Sequence, residues 1–177
     1  LLEAPSLSAI GAPDTAGARA IVATALAAGR VLLDEVESKA LLGAYGIPTV
    51  RTERARATAD DAVRAAAAVG YPVALKILSP DLSHKSDAGG VSLDIADETA
   101  LRAATRQMSA SVQALRPDAR IEGFSVQAMA RRPHAQELIV GASVDPIFGP
   151  VLMFGQGGTA VEVIADRAIA LPPLNRV

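Results

Sequence analysis

Cysteine and tryptophan are absent from the 177 residues, and aromatic side chains make up only 3% of them. Without cysteine there is no disulfide, no thiolate metal ligand and no thiol nucleophile, a pattern that suits a reducing, cytoplasmic setting. Long apolar runs are missing too. The longest, Ala18 to Gly29, is interrupted by Arg19 and is too short to cross a bilayer, and no charged-then-apolar targeting segment precedes it. Nor is there a basic excess: 17 Lys plus Arg face 19 Asp plus Glu, a net charge of −2. Duplex-binding proteins show the opposite balance, because cations must displace the counterions of the phosphate backbone. Nucleic acid and membrane are therefore not the expected partners. Lysine itself is scarce, with only Lys39, Lys76 and Lys85 among the basic residues. Where arginine is the default surface cation, a lysine in an apolar strand is informative.

What is present is enough apolar material to fold. Half of the residues are hydrophobic and mean hydropathy is +0.30, which excludes wholesale disorder. At roughly 100–200 residues per domain, the length fits one domain or two lobes. The chain opens Leu1-Leu2-Glu3-Ala4-Pro5 without an initiator methionine, so it is expected to be a piece of a longer polypeptide. Leu1 to Pro13 has the proline content of a linker.

Capping signals then divide the chain. Asp14-Thr15 starts an alanine-rich helix that closes at Gly29. Asp34 with Glu37 three residues on forms a capping-box pattern, with Val36, Ala40, Leu41 and Ala44 as the buried stripe and Gly46 and Pro48 as the stop. Thr58 caps a third helix, ended by Gly70 and Pro72, and Asp97 a fourth running to Leu115 with Leu101, Ala104, Met108, Val112 and Leu115 inward. Val73 to Leu78 and Gly90 to Ile95 read as strands. So do Ile121 to Met129, Glu137 to Val144 and Pro150 to Phe154, whose spacing suggests three adjacent antiparallel strands. The expected class is α+β with two lobes.

Three places could carry chemistry. Ser83-His84-Lys85-Ser86-Asp87-Ala88-Gly89-Gly90 joins a histidine to a cation, a hydroxyl, a carboxylate and a glycine pair. A lone loop histidine is ordinarily surface decoration. In this company, backbone amides and Lys85 could hold phosphate oxygens while a neutral imidazole nitrogen attacks phosphorus, with Asp87 orienting the ring. Lys76 lies between Leu75 and Ile77, and burying its ammonium demands an anion, either a structural carboxylate or a nucleotide phosphate. Gly155-Gln156-Gly157-Gly158 is a glycine cluster that many tight turns share, followed by Glu162, which is equally the outer residue of an edge strand. Glu137 has a similar place at the head of a strand, and Gln127 and Met129 fit sheet core and edge. His134 reads as solvated, and no set of residues has convincing metal-ligand spacing.

Together these blocks resemble a known family. Glu35 to Pro48 is similar to the opening helix of the ATP-grasp module in succinyl-CoA synthetase β chains, and Val73 to Ile77 to its nucleotide-lysine strand. His84-Lys85-Ser86-Asp87-Ala88-Gly89-Gly90-Val91, with Gly149 to Gly158 and on to Glu162, resembles the NDP-forming acyl-CoA synthetases, the ADP-forming acetyl-CoA synthetases included. The resemblance runs from Val31 to Val177. It implies a linker and leading helix from an upstream domain over 1–30, an ATP-grasp N-terminal lobe with the histidine loop over 31–120, and the start of a truncated C-terminal lobe over 121–177.

The roles it implies are specific. His84 is the second phosphohistidine of a relay, taking a phosphoryl group from a histidine on the CoA-binding part and carrying it to ADP, and Glu162 with Gly157 and Gly158 lies where the phosphohistidine is received. Lys76 contacts nucleotide phosphate, Gln127 and Met129 belong to the adenine hinge, and Glu137 lies near the nucleotide. The implied cofactors are ATP or ADP and magnesium, the magnesium ligands being expected beyond the C-terminal end. The implied partners are the CoA-binding and ligase domains of the same polypeptide, acyl-CoA and phosphate. Interconversion of acyl-CoA, ADP and phosphate with carboxylate, ATP and CoA is the function expected of the whole, the isolated fragment being inactive. Two other readings are a regulatory region of a GNAT-type protein lysine acetyltransferase and a carboxylate–amine ligase, which needs no histidine.

Overall fold

The computed structural model describes residues 12–82, 84–158, 167–172 and 174. Local signals set the helices. In α1 (Thr15–Ala27) the Asp14 carboxylate accepts from the Gly17 amide at 2.8 Å. At its end the amides of Gly29 and Arg30 donate to the carbonyls of Leu26 and Ala25, with Gly29 at φ +70°. α2 (Glu35–Ala44) has the full capping box: Asp34 accepts from the Val36 and Glu37 amides while Glu37 accepts from the Asp34 amide. It stops by the same device, the Gly46 and Ile47 amides donating back to Gly43 and Leu42. α3 (Ala59–Val69) and α4 (Glu98–Leu115) are capped by Thr58 and Asp97 as the spacing predicts.

Between and after the helices run β1 (Thr52–Ala55), β2 (Val73–Leu78), β3 (Val91–Ile95) and β4 (Gly123–Ala128). They form one antiparallel sheet in the order β1-β4-β2-β3. Strand alternation gives the sheet two different faces. Val73, Leu75 and Ile77 of β2 and Phe124 and Val126 of β4 enter a core shared with Ala62, Ala65 and Ala66 of α3 and Leu101, Met108 and Val112 of α4. Phe124, at 0% exposure, is the largest fully buried side chain; burying a side chain of that kind is worth about 1.5–3 kcal/mol. Lys76, Ser125 and Gln127 alternate with these residues and so belong to the other face, where α2 meets β1.

A second sheet is a meander of β5 (Leu138–Asp145), β6 (Gly149–Gln156) and β7 (Arg167–Ala170). Its first hairpin turns where the Asp145 carboxylate accepts from the Ile147 and Phe148 amides at 2.8 and 2.9 Å, ahead of Gly149 at φ +73°. Those two hydrogen bonds hold the Asp145 carboxyl below its usual range. The chain divides into two compact units, one running to Ala130 and the other beginning at Arg131.

The α+β class and two-lobed division agree with the sequence expectation, and four elements correct it in detail. The strand over 123–128 does not adjoin the two that follow: it lies between β1 and β2. The first unit accordingly extends past the boundary read at 120. α2 has no fully buried residue, and Ala40 of its expected stripe is exposed, because the helix contributes a polar face to the sheet rather than an apolar one. Leu115 is 61% exposed, since α4 ends there and Thr105 takes a core position instead. Strand β7 carried no apolar-run signal of its own. The linker expected over 1–13 falls almost wholly outside the described residues.

Candidate functional site

Sheet register assembles a polar cluster behind the first core. Lys76 is paired with Ser125 across β2 and β4, and Thr52 with Gln127 across β1 and β4. Across this face lies the first turn of α2, which presents Glu35 and, one helical turn later, Lys39. One carboxylate oxygen of Glu35, Oε1, accepts from Lys76 Nζ at 2.6 Å and from Lys39 Nζ at 3.0 Å. Its other oxygen accepts from the Ser125 hydroxyl at 3.2 Å. Gln127 Oε1 likewise accepts from both ammoniums, at 2.6 Å from Lys39 and 3.2 Å from Lys76. Thr52 Oγ1 accepts a third bond from Lys39 at 2.8 Å. Asp34, at the cap of α2, is paired with Arg54 of β1, which ties the helix end down beside the cluster.

The electrostatics follow from partial burial. Burial of Glu35 alone raises its pKa, but the hydrogen bonds from Lys76 and Lys39 outweigh that, and the carboxyl titrates below its ordinary range. Lys39 shifts down, first because burial penalises its charge and further because Lys76 is near, with Glu35 opposing both. Two ammoniums thus share one carboxylate, leaving one positive charge in a half-buried setting. Glu35 also lines a cleft of about 460 Å³ with Arg30, Ser79, Leu82, Lys85 and Glu122, so one carboxylate of the cluster and one lysine of the histidine loop face the same space.

The loop after β2 is anchored at its far end. Gly90 is buried, its carbonyl accepts from the Ile77 amide at 2.8 Å, and Val91, the first residue of β3, stands opposite Lys76. The Gly89 amide donates to Ser86 and the Gly90 amide to Lys85, closing two turns, with Gly89 at φ +68°. These two amides are therefore already committed within the loop and do not offer themselves to an anion. His84 is exposed and lines a cleft of about 350 Å³ with Leu82, Asp87, Ala88, Leu115 and Arg116. Arg116, just past α4, is a cation that the sequence reading passed over.

Met129 is half-buried and its amide donates to the Pro72 carbonyl at 3.2 Å. Gln127, expected at an adenine hinge, instead spends its side-chain oxygen on the two lysines. In the second unit three of the predicted residues do meet. The Gly157 amide donates to the Glu137 carbonyl at 2.8 Å, and a Cβ on Gly157 would come within 3.1 Å of Glu137. Gly158 has φ +89°, with the Glu137 carboxylate nearby. Glu137 lines a cleft of about 350 Å³ with Gln136, Leu138, Phe154, Gly155, Gln156 and Ala168. Glu162 lies outside the described residues. Among the described residues no group of three His, Cys, Asp or Glu side chains could hold a metal ion, and no helix is long and apolar enough to cross a membrane. Glu35, Lys39, Thr52 and Ser125 were missed; the i,i+4 spacing of Glu35 and Lys39 was the one local signal for any of them.

Comparison with known proteins adds to this geometry. Residues 24–177 match the family model described as an ATP-grasp domain. The chain is 40% identical over 161 residues to the β subunit of an ADP-forming acetate–CoA ligase I of Pyrococcus furiosus, a match covering 91% of this chain and 68% of that one. It is 44% identical over 148 residues to an ADP-forming acetate–CoA ligase I of Archaeoglobus fulgidus, covering 84% of this chain but only 21% of the relative. Among solved structures, acetyl-coenzyme A synthetase 1 of Ca. Korarchaeum cryptofilum in complex with coenzyme A and Ca-AMPCP superposes with TM-score 0.84 at 39% identity, covering 89% of this chain and 68% of that chain. The same enzyme with coenzyme A and Mg-AMPPCP, its phosphohistidine segment pointing towards the nucleotide binding site, gives TM-score 0.73 at 35% identity, over 89% of this chain and 65% of that chain.

Proposed function

Since the chain belongs to the ATP-grasp domain family, in the group of the ADP-forming acetyl-CoA synthetases, we propose that it is the nucleotide-binding and phosphoryl-relay portion of such an enzyme. The whole protein would interconvert acyl-CoA, ADP and phosphate with carboxylate, ATP and CoA. The observation that carries this reading is His84: exposed, beside an open cleft, on a loop whose far end is fixed to β2 opposite Lys76. A neutral imidazole nitrogen there would take a phosphoryl group from a phosphohistidine on the CoA-binding part, whose N–P bond breaks and whose imidazole leaves, with the proton of the attacking ring lost to water. The phosphohistidine then passes the group to a terminal oxygen of ADP, restoring the imidazole. Direct transfer would need both substrates in line within a few ångströms, a demand that a carrier side chain removes.

The lysine cluster suits nucleotide phosphate because it carries one uncompensated positive charge, with Lys76 as the contacting group. In this reading Gln127 and Met129 belong to the hinge beside the adenine base. Gly157 and Gly158, with Glu162, would receive the phosphohistidine, and Glu137 would lie near the nucleotide. The magnesium that accompanies nucleotide in the relative finds no group of three His, Cys, Asp or Glu side chains to sit in among the described residues. The test is phosphorylation of the full-length protein by radiolabelled ATP and magnesium. Acid-labile, base-stable label is expected on the wild type and none on His84→Ala; label that persists undiminished in the variant refutes the relay.

A further inference from the structure

Two lysines meet the same two acceptors, and they are not equivalent. Lys39 has three N–H donors and three acceptors, Glu35 Oε1, Thr52 Oγ1 and Gln127 Oε1, at 3.0, 2.8 and 2.6 Å. An ammonium with all three donors spent has nothing left for a ligand. Lys76 donates to Glu35 Oε1 and Gln127 Oε1 only, so among the described residues it keeps one N–H uncommitted. Every acceptor that could neutralise Lys76 is thus already shared with Lys39.

We propose that Lys39 is the positioning residue that leaves the charge of Lys76 uncompensated and one of its donors open toward an incoming polyphosphate, by holding Glu35 and Gln127 away from exclusive pairing with it. This rests on the nucleotide-binding reading above. The cluster balance explains the design: one carboxylate against one lysine would close into a neutral pair, while one carboxylate against two leaves a surplus cation. Of the two ammoniums only Lys76 keeps a donor for that surplus, because Lys39 is saturated. Glu35 in turn keeps two ammoniums tolerable at close range, which an empty site with two bare cations would not be. The i,i+4 arrangement on α2 matters here, since it delivers the carboxylate and its second cation on one rigid element.

Charge balance provides a test that a purely structural lysine would not pass. In Lys39→Met the cluster falls to zero net charge, and in Glu35→Gln/Lys39→Met it returns to the wild-type surplus with Lys76 alone. The dissociation constant of magnesium–ADP is measured by calorimetry on the full-length protein, with circular dichroism to confirm folding. Lys39→Met should bind about tenfold to a hundredfold more weakly, the loss expected when a charged hydrogen-bond donor is neutralised by an unshared partner. The double variant should recover most of that loss. A double variant no tighter than Lys39→Met overturns the proposal, as does a Lys39→Met protein that binds like wild type. Lys39→Gln, smaller in its disturbance of packing, provides the same comparison with and without Glu35→Gln if the methionine variant misfolds. Failure of the wild type itself to bind magnesium–ADP counts instead against the nucleotide-binding reading.

Discussion

Substituting Gly90 by alanine tests whether the histidine loop is seated as the structure has it. An added Cβ would stand 2.5 Å from Ile77 Cγ2 and 2.9 Å from the Lys85 carbonyl oxygen. Neither neighbour yields easily. Ile77 is fully buried in the main core, and the Lys85 carbonyl is held by the Gly90 amide at 2.7 Å. Forcing a methyl into a packed interior costs about 1–3 kcal/mol. For a chain of this size each kcal/mol lowers Tm by about 2–4 °C, so Gly90→Ala should melt roughly 2–12 °C below wild type. The origin of the loss can be separated by a second glycine. Gly89 has φ +68° and its nearest contact is Ser111 Cβ at 3.4 Å, so Gly89→Ala should lose about 1–2 kcal/mol through backbone strain alone. Ile77→Leu moves the branch away from Cβ and removes the clashing methyl. It should therefore restore part of the stability of Gly90→Ala and none of that of Gly89→Ala, read as a coupling free energy of about 0.5 kcal/mol or more in a double-mutant cycle by thermal or urea denaturation. Equal additivity in both cycles, or a Gly90→Ala protein as stable as wild type, would mean that the loop is not packed on Ile77, and the argument that fixes it beside Lys76 would fail with it.

Asp34→Ala removes the capping oxygen of α2 and the partner of Arg54, and should cost about 0.5–2 kcal/mol in a denaturant melt; because the same turn presents Glu35 and Lys39, magnesium–ADP affinity should fall with it. Glu37 is held at about 2, chiefly by its hydrogen bond from Arg30, well below the ordinary glutamate value of 4.5. The unfolded chain therefore binds more protons between those two values, so this contribution is complete above pH about 4.5 and is lost as pH falls toward 2. Asp81, held at about 2 by Arg120, behaves the same way. Tm measured across that window should fall less steeply in Glu37→Gln than in wild type, and parallel profiles would refute the assignment.

How much of this was legible in the sequence depended on the range over which each signal acts. Caps and stops are local. Asp34 and Glu37, or Gly46 after Ala44, decide a helix end within a turn, and the helix boundaries came out within a residue or two. The buried face of β2 was readable for the same reason, as an apolar run interrupted by one lysine. Strand partnership is not local: β4 lies next to β1 and β2 because Phe124 and Val126 complete their core, and nothing in 121–129 distinguishes that sheet from the next one along the chain.

The lysine cluster shows the same limit at the level of chemistry. Lys76 announced that it needed an anion, and the sequence left a structural carboxylate and a nucleotide phosphate as rivals. The structure supplies the carboxylate, Glu35, from 41 positions away, and steadies it with Ser125, 90 positions from Glu35 along the chain. Finding Glu35 does not dispose of the phosphate, because the same turn of α2 brings Lys39 and restores the charge that Glu35 takes away. The proposed nucleotide phosphate would balance the remaining charge. What the residue types alone could not reveal is that the demand of one lysine is met and renewed by a single helix, a fact that exists only once α2 is laid across the register pairs Lys76–Ser125 and Thr52–Gln127.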